Sequence, residues 1–272
     1  MKLKSIFVTG SLISMFTAYS QDIVFFTGGQ KFVKTEITFL NGKVTEGYLK
    51  DFRLPRTVEV RGPGYEFKSF EKKLRLDSKQ FSYKKELTDD KAKAIGTDSI
   101  KAIKFIEGDS ITYFEKMTLK TVNTKNQLID LEREVFLPLI QKGKIDLYGL
   151  KVKEAGNDDL ITVLAYIKKP EDNFAVIPID MNRLNIFNVW SMEERFVHGF
   201  KFITTDCAAF QALMDERLQK IESGDKEYKQ TMKESYQDFM KNAKGTPEDK
   251  FSFYYYNLYL DVIDDYSDLC SD

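Results

Sequence analysis

The sequence has few of the side chains that build metal sites and catalytic nucleophiles. Its 272 residues include one histidine and two cysteines. A single histidine excludes every multi-histidine metal site, and two cysteines are too few for a zinc ribbon or an iron–sulfur cluster. We therefore expect no metal and no cofactor.

An excess of positive charge is also lacking, because 41 lysines and arginines stand against 42 aspartates and glutamates. Dedicated nucleic-acid-binding proteins are strongly basic, so the sequence does not favour nucleic acid as a partner. There is no Walker loop, no Gly-x-Gly-x-x-Gly, no Gly-x-Ser-x-Gly and no His-Glu-x-x-His. These absences count against a nucleotide enzyme, a serine hydrolase of the usual kind and a zinc protease. Hydrophobic residues make up 42% of the chain, enough for a folded core.

The first twenty residues have the pattern of a secretory signal peptide. Lys2 and Lys4 precede an apolar run over 6–18, and the small residues Ala18 and Ser20 suit cleavage before Gln21. A membrane anchor is the alternative, but the run is shorter than the roughly 20 residues that a bilayer requires. We expect residues 1–20 to be removed, leaving a soluble periplasmic or secreted chain without a transmembrane span.

Residues 21–190 have the alternation and turn signals of β-strands. Asn41-Gly42, between Thr35–Leu40 and Lys43–Leu49, predicts a type I′ hairpin. Further strands are predicted at Val58–Val60, Gln80–Lys84, Ser99–Ile106, Ser110–Met117, Lys144–Lys153, Leu160–Lys168 and Phe174–Ile179. Leu131–Lys142, followed by Gly143, instead predicts a short helix that Pro138 bends or shortens.

Residues 191–272 change to helical spacing and predict a bundle of about four helices. Ser191 with Glu194 forms a capping box, and Asp206 is the predicted N-cap of a second helix that ends at Gly224. A third helix carries Tyr228 to Ala243, and Thr246-Pro247 opens a fourth that runs to about Asp268, with a strand over Phe251–Leu260 as the alternative. The predicted fold class is therefore α+β, an N-terminal antiparallel β-meander or sandwich-like half followed by a helical domain.

Several short motifs resemble those of exported Bacteroidetes proteins for which no activity is established. They are the strand, turn and Gly-Tyr strand at Thr35–Leu49, Asp98–Ile100, Gly143–Tyr148, the helix opening at Asp206-Cys207, and Tyr256-Asn257. The chain departs from this pattern at Ala208, where such relatives often have proline after the cysteine. The resemblance implies an exported protein of this architecture and implies no particular reaction.

Besides remaining an unpaired cysteine, Cys207 has two alternative roles. In an oxidising compartment it can pair with Cys270, a bond worth on the order of 4 kcal/mol in the chain-entropy model. It can instead be a nucleophile at a helix N-terminus, with His198 as base and Asp206 as orienting acid. A carboxylate pair at Asp89-Asp90, Asp158-Asp159 or Asp264-Asp265 is the other catalytic candidate, although adjacent acids do not by themselves give a glycosidase geometry.

A lysine-rich segment with interleaved aromatic residues is the candidate binding surface. Its candidate residues are Lys68, Lys72, Lys73, Arg75, Phe81, Tyr83, Lys84 and Lys85. Charge and aromatic rings in this combination suit an acidic glycan, a lipid headgroup or nucleic acid, while alternation of buried rings and exposed lysines is the ordinary explanation. The acidic tail from Asn257 to Asp272 is a further candidate to dock against this segment.

The sequence favours an exported, non-catalytic envelope or secreted protein that binds a glycan, lipid or protein surface. An envelope-directed hydrolase using Cys207 and His198 or a carboxylate pair is the alternative. A third hypothesis is an accessory subunit whose aromatic-rich last helix inserts into a partner.

Overall fold

A computed structural model describes residues 22–26, 31–50, 57–61, 76–153, 160–178, 192–243 and 247–270. The predicted signal peptide, Ser191, Asp158-Asp159 and the basic residues Lys68 to Arg75 lie outside these ranges. The described part confirms the α+β class, because strands occupy the N-terminal part and four helices follow.

Twelve strands precede the helices in the described ranges. They are β1 (Asp22–Phe26), β2 (Val33–Phe39), β3 (Val44–Leu49), β4 (Thr57–Arg61), β5 (Gln80–Lys84), β6 (Lys93–Gly96), β7 (Ile100–Glu107), β8 (Ser110–Val122), β9 (Leu128–Gln141), β10 (Asp146–Lys153), β11 (Leu160–Lys168) and β12 (Phe174–Ile177). Each strand that the alternation predicted is present, and β8 extends beyond its predicted end at Met117 to Val122. Strands β1 and β4 form a separate antiparallel pair.

The other ten strands form one sheet in the order β12-β11-β10-β9-β8-β7-β2-β3-β5-β6. Consecutive strands from β7 to β11 are antiparallel neighbours, which is the predicted meander. Strand β12 also pairs with β8 in parallel, so that β8 to β12 form a closed ring of five strands. This closure gives β12 a backbone partner on both sides.

The turn between β2 and β3 differs in type from the prediction. Gly42 has a φ of +80°, whereas Asn41 does not have a positive φ, so the turn is not type I′. Gly42 N–H donates to Phe39 O and Phe39 N–H donates to Lys43 O. These bonds close a three-residue loop in which Gly42 takes the left-handed position.

The helix predicted over Leu131–Lys142 is wrong, because all of this segment except Lys142 lies within β9, which pairs with β8. Pro138, opposite Phe114, lacks an N–H donor, and a strand tolerates that loss better than a helix interior does. The pairing shifts where Glu132 takes a φ of +53°, and the Glu132 N–H donates to Asp130 Oδ1 at 2.6 Å. Pairing with β8 therefore overrides the local helical pattern.

A first hydrophobic core lies on one face of the ten-stranded sheet. It contains Ile37 and Leu49 from the β2–β3 hairpin, Ile103 and Phe105 from β7, and Phe81 from β5, which packs on Phe136 at 5.5 Å between ring centroids. Tyr83 packs beside this core, and its hydroxyl donates to Glu46 O at 2.7 Å. Gly47 lies directly beneath the Tyr83 ring, since a Cβ there would lie 2.2 Å from Tyr83 Cε2.

Four helices follow, α1 (Met192–Ile203), α2 (Ala208–Ser223), α3 (Lys226–Asn242) and α4 (Pro247–Leu269). The alternative of a strand over Phe251–Leu260 is therefore wrong. Gly224 ends α2 in the left-handed conformation, as predicted, and the Asp225 carboxylate caps α3 by accepting from Tyr228 N–H. The predicted cap at Asp206 is wrong, because Cys207 is the N-cap residue of α2 and makes no side-chain cap bond.

A second hydrophobic core joins the ring of strands to the helices. Ile145, Leu147, Ile167 and Val176 supply its β side, and Phe200, Phe210 and Met214 with the last turns of α4 supply the other. Tyr259, Val262, Ile263 and Tyr266 of α4 are buried there. No helix in the described ranges has the length and apolar character to cross a membrane.

The contact between Gly47 and Tyr83 generates a stability prediction. Gly47→Ala is expected to lower the free energy of unfolding by about 1–3 kcal/mol, because its Cβ would overlap the Tyr83 ring and Lys84 O. Gly96→Ala is the matched control, since a Cβ at Gly96 meets nothing within 4 Å. Urea denaturation of both variants measures the difference, and equal stability of the two would contradict the packing.

Candidate functional site

The two cysteines form a disulfide, which decides between the alternatives that the sequence left open. Cys207 and Cys270 are bonded with a Cα–Cα distance of 5.9 Å and a sequence separation of 63. The bond joins the N-cap of α2 to the residue that follows α4. In this form Cys207 has no thiolate with which to attack a substrate.

Asp206, the proposed orienting acid, belongs to a polar cluster beside this disulfide. Its Oδ2 accepts from Lys169 Nζ at 2.9 Å and from the Tyr266 hydroxyl at 2.8 Å, and Lys169 Nζ also contacts the Tyr266 hydroxyl. Lys169 follows β11, Asp206 precedes α2 and Tyr266 lies in the last turn of α4. The cluster therefore ties both helices to the sheet at the point where the disulfide joins them.

The pKa shifts in this cluster have the directions expected of a structural ion pair. Burial alone would raise the pKa of Asp206, but the hydrogen bonds from Lys169 and Tyr266 outweigh it and the pKa is lowered. Burial likewise opposes the charged Lys169, but its bonds to Tyr266 and Asp206 outweigh that effect and its pKa is raised. Both side chains therefore stay charged at neutral pH.

His198, the proposed base, lies on α1 beside the ring of Phe202, with ring centroids 6.3 Å apart. Burial first, and then the nearby Lys201 charge, lower the pKa of His198. The imidazole is accordingly neutral at pH 7, but the sulfur it would have to activate is bonded to Cys270.

The paired acids differ in their environments. Asp89 Oδ2 accepts from the N–H groups of Lys85 and Glu86 and so closes the turn after β5, while Asp90 is exposed. Asp265 pairs with Arg217 Nη2 of α2 at 2.5 Å, while Asp264 is exposed. The acidic tail thus meets Arg217, and Lys144 Nζ reaches Cys270 O at 2.8 Å. For the described residues, these contacts do not involve the lysine-rich segment.

Lys168 of β11, the most buried charged residue of the described chain, pairs with the half-buried Glu115 of β8. Lys168 is only 1% exposed. Its Nζ lies 3.5 Å from Glu115 Oε1 and donates to Pro170 O at 3.2 Å. The Tyr148 hydroxyl donates to the other Glu115 oxygen, and burial followed by this bond raises the pKa of Tyr148 far above its usual value. Each group has a partner, so the cluster is a compensated ion pair.

Four residues of the candidate binding segment lie in the described ranges, two at the core and two at the surface. Phe81 is fully buried and Tyr83 packs on the core beside it, so neither ring faces a ligand. Lys84 lies on the opposite face of the sheet, and Lys85 is exposed in the following turn. Alternation along β5 thus accounts for the two aromatic side chains, whereas the lysines remain at the surface.

The face of the sheet opposite the first core carries a row of side chains that crosses five strands. Register pairs Ile111 with Ile106, Ile106 with Lys34, Lys34 with Tyr48 and Tyr48 with Lys84. Directly opposite residues point to the same face, so these five side chains form one continuous line. We call them the cross-strand row. It contains two cations, one aromatic ring and no acid.

Phe32 extends the cross-strand row at the start of β2. Lys84 Nζ lies 5.0 Å and Lys50 Nζ 5.7 Å from the centroid of its ring. Two ammonium groups are thus held around one aromatic face. Neither Lys34, Lys50 nor Lys84 forms an ion pair with a described acid.

A second line of residues, one pleat further along the strands, contains two acids. It runs through Tyr113, Lys104, Glu36 and Glu46. Lys104 Nζ and Glu36 Oε1 form an ion pair at 2.9 Å, whereas Glu46 is exposed and makes no ion pair with a described residue. The charge of Glu36 is thus compensated locally.

Sequence reasoning identified Lys84 as a surface lysine but missed Lys34, Tyr48, Phe32 and Lys50. The available signal was alternation in β2 and β3, which places Lys34 and Tyr48 on the face opposite Thr35 and Leu49. Their alignment with Ile106 and Lys84 depends on register across non-consecutive strands, which alternation does not supply.

Comparison with protein-family models, with curated proteins and with solved structures finds no significant match to this chain. Within the ranges that the structure describes, no group of three or more His, Cys, Asp or Glu side chains could hold a metal ion. The local chemistry of the residues is therefore the basis for any functional proposal.

The disulfide generates a prediction about stability. Cys207→Ser combined with Cys270→Ser is expected to lower the free energy of unfolding by about 2–5 kcal/mol, because it frees the 63-residue loop in the unfolded chain. Denaturant titration of the wild type, with and without a reductant, gives the same comparison without mutation. A double variant as stable as the oxidised protein would contradict a structural role.

The Asp206 cluster generates a pH prediction. Because the pKa of Asp206 is lowered on folding, its contribution to stability is present above the unfolded value of about 3.9 and is lost as pH falls through the folded pKa. Asp206→Asn is therefore expected to destabilise the protein at neutral pH and to unfold like the wild type at strongly acidic pH. Asp264→Asn, at an exposed position of α4, is the control, and urea titrations across pH measure both. A pH-independent loss would contradict the ionic role.

Proposed function

We propose that the chain is an exported, non-catalytic protein of the cell envelope or the secreted space that binds a glycan, lipid or protein surface. The leader pattern of residues 1–20 supports export. The Cys207–Cys270 disulfide is consistent with that destination, because such bonds persist in oxidising compartments.

The main support for a non-catalytic role is that the potentially reactive side chains form bonds that stabilise the fold. Cys207 is in the disulfide, and Asp206 is held by Lys169 and Tyr266. Catalysis requires a nucleophile or a general acid and base facing a substrate position. Cys207 instead joins α2 to the end of α4, and Asp206 joins the start of α2 to Lys169 after β11.

The hydrolase alternative has no specific observation in its favour. Asp89 closes a turn and Asp265 pairs with Arg217, so each described acid pair has one member in a local structural bond. Insertion of the last helix into a partner is also not supported for the C-terminal half of α4. The residues buried there within the chain are Tyr259, Val262, Ile263 and Tyr266. A binding surface on the sheet is the reading that the described residues favour.

The proposal predicts binding without turnover. The mature protein, incubated with purified bacterial envelope fragments, is expected to co-sediment with them in a saturable manner and to leave the fragments chemically intact by mass spectrometry. His198→Ala and Asp206→Asn are expected to behave like the wild type once their folding is verified. Release of soluble fragments by the wild type, lost in either variant, would establish the hydrolase instead.

A further inference from the structure

The cross-strand row concentrates positive charge on one face of the sheet. Lys34 and Lys84 flank Tyr48 on either side, and Lys50 joins Lys84 around the Phe32 ring. Nearby like charges repel one another unless an anion lies between them. The charge of this face therefore complements an anionic ligand.

The acids near the row within the described ranges compensate this charge only in part. Glu36 is paired with Lys104, and Glu107 lies 3.6 Å from Lys31. Glu46 projects an exposed carboxylate beside the row without a described ion-pair partner, and Glu86 does the same in the turn that follows Lys84. Among the described residues, Lys34, Lys50 and Lys84 outnumber these two exposed acids, and Glu46 should weaken rather than support binding of an anion.

The shape of the row favours a linear ligand. Five adjacent strands at a spacing of about 4.8 Å give a line of about 19 Å across the sheet. Lys34 and Lys84 lie two strand spacings apart, about 10 Å, with the Tyr48 ring between them. An extended polymer of uronic acids presents the carboxylates of every second unit on one side at a similar interval, with an apolar sugar face between them for the ring.

A membrane surface fits the same residues less well. Lipid-binding surfaces place their exposed apolar side chains together, where they enter the headgroup region. Here the exposed Ile111 is at the β8 end of the row, whereas the exposed Leu87 follows Lys84 beyond its β5 end. The cations and the ring lie between these two residues, which suits a chain lying along the row.

We propose that the cross-strand row, extended by Phe32 and Lys50, binds a linear acidic polysaccharide, with Lys34, Lys50 and Lys84 pairing its carboxylates and Tyr48 stacking on a sugar face. This inference rests on the proposed function and names the ligand class and the site. Phe32 positions the two lysines, because its ring already lies beneath their ammonium groups.

The test measures binding of the mature protein to alginate, a linear polymer of uronic acids, by affinity electrophoresis over a range of salt concentrations. Lys34→Gln combined with Lys84→Gln is expected to weaken binding by roughly tenfold and to reduce its dependence on salt. Lys125→Gln combined with Lys233→Gln makes the same change in net charge at exposed positions outside the row and is expected to have no effect.

Two further variants separate charge from the aromatic ring. Glu46→Gln is expected to strengthen binding, because it removes the exposed acid beside the row. Tyr48→Ala is expected to weaken binding to alginate, and Tyr48→Phe is expected to retain it because the ring remains. Thermal unfolding of each variant excludes those that lose their fold, and the lysine variants carry the test if Tyr48→Ala does not fold.

Equal loss in the two lysine double variants would overturn the site, since it would indicate nonspecific charge attraction. Carboxyl-reduced alginate is expected not to bind, and equal binding to it would overturn the acidic class. Binding to phosphatidylglycerol vesicles through Lys34 and Lys84, without binding to alginate, would overturn the polysaccharide and assign a lipid surface.

The co-sedimentation assay separates this inference from the proposed function. If every variant of the row still co-sediments with envelope fragments as the wild type does, this inference alone is overturned. If the wild type does not co-sediment, the proposed function is overturned.

Discussion

The register of β2 against its two neighbours is the constraint on which both the core and the candidate surface depend. Thr35 and Ile37 are buried because β2 pairs with β3 and β7 in one particular alignment. Side chains alternate along a strand, so a slip of one residue would exchange the two faces. The same alignment that buries Ile37 therefore brings Lys34 into line with Tyr48 and Ile106.

A second constraint fixes the helices to this sheet. The Cys207–Cys270 disulfide and the Lys169–Asp206–Tyr266 cluster lie at one junction of α2, α4 and the end of β11. A covalent bond and an ion pair thus hold the same two helix ends above the second core. This arrangement explains why residues that resemble a catalytic set are instead committed to the fold, and it leaves the sheet face as the candidate for recognition.

Local patterns predicted the elements well where the local signal was strong. Asn41-Gly42 located the first hairpin, and Gly224 located the end of α2. Prediction was wrong for Leu131–Lys142, because pairing with β8 accommodates Pro138 in a strand. It was also wrong for Asp206, whose carboxylate bonds Lys169 and Tyr266 rather than the helix. The cross-strand row was missed because it requires the alignment of five strands, a long-range property that neither alternation nor turn chemistry specifies.

The central claim is that this alignment places Lys34 between Tyr48 and Ile106 on the face opposite the core. Nuclear Overhauser contacts between backbone protons of neighbouring strands in the folded protein test it most directly. The account predicts backbone contacts that pair Lys34 with Tyr48 on one side and with Ile106 on the other. A pattern shifted by one residue, pairing Lys34 with Leu49 or with Phe105, would contradict it.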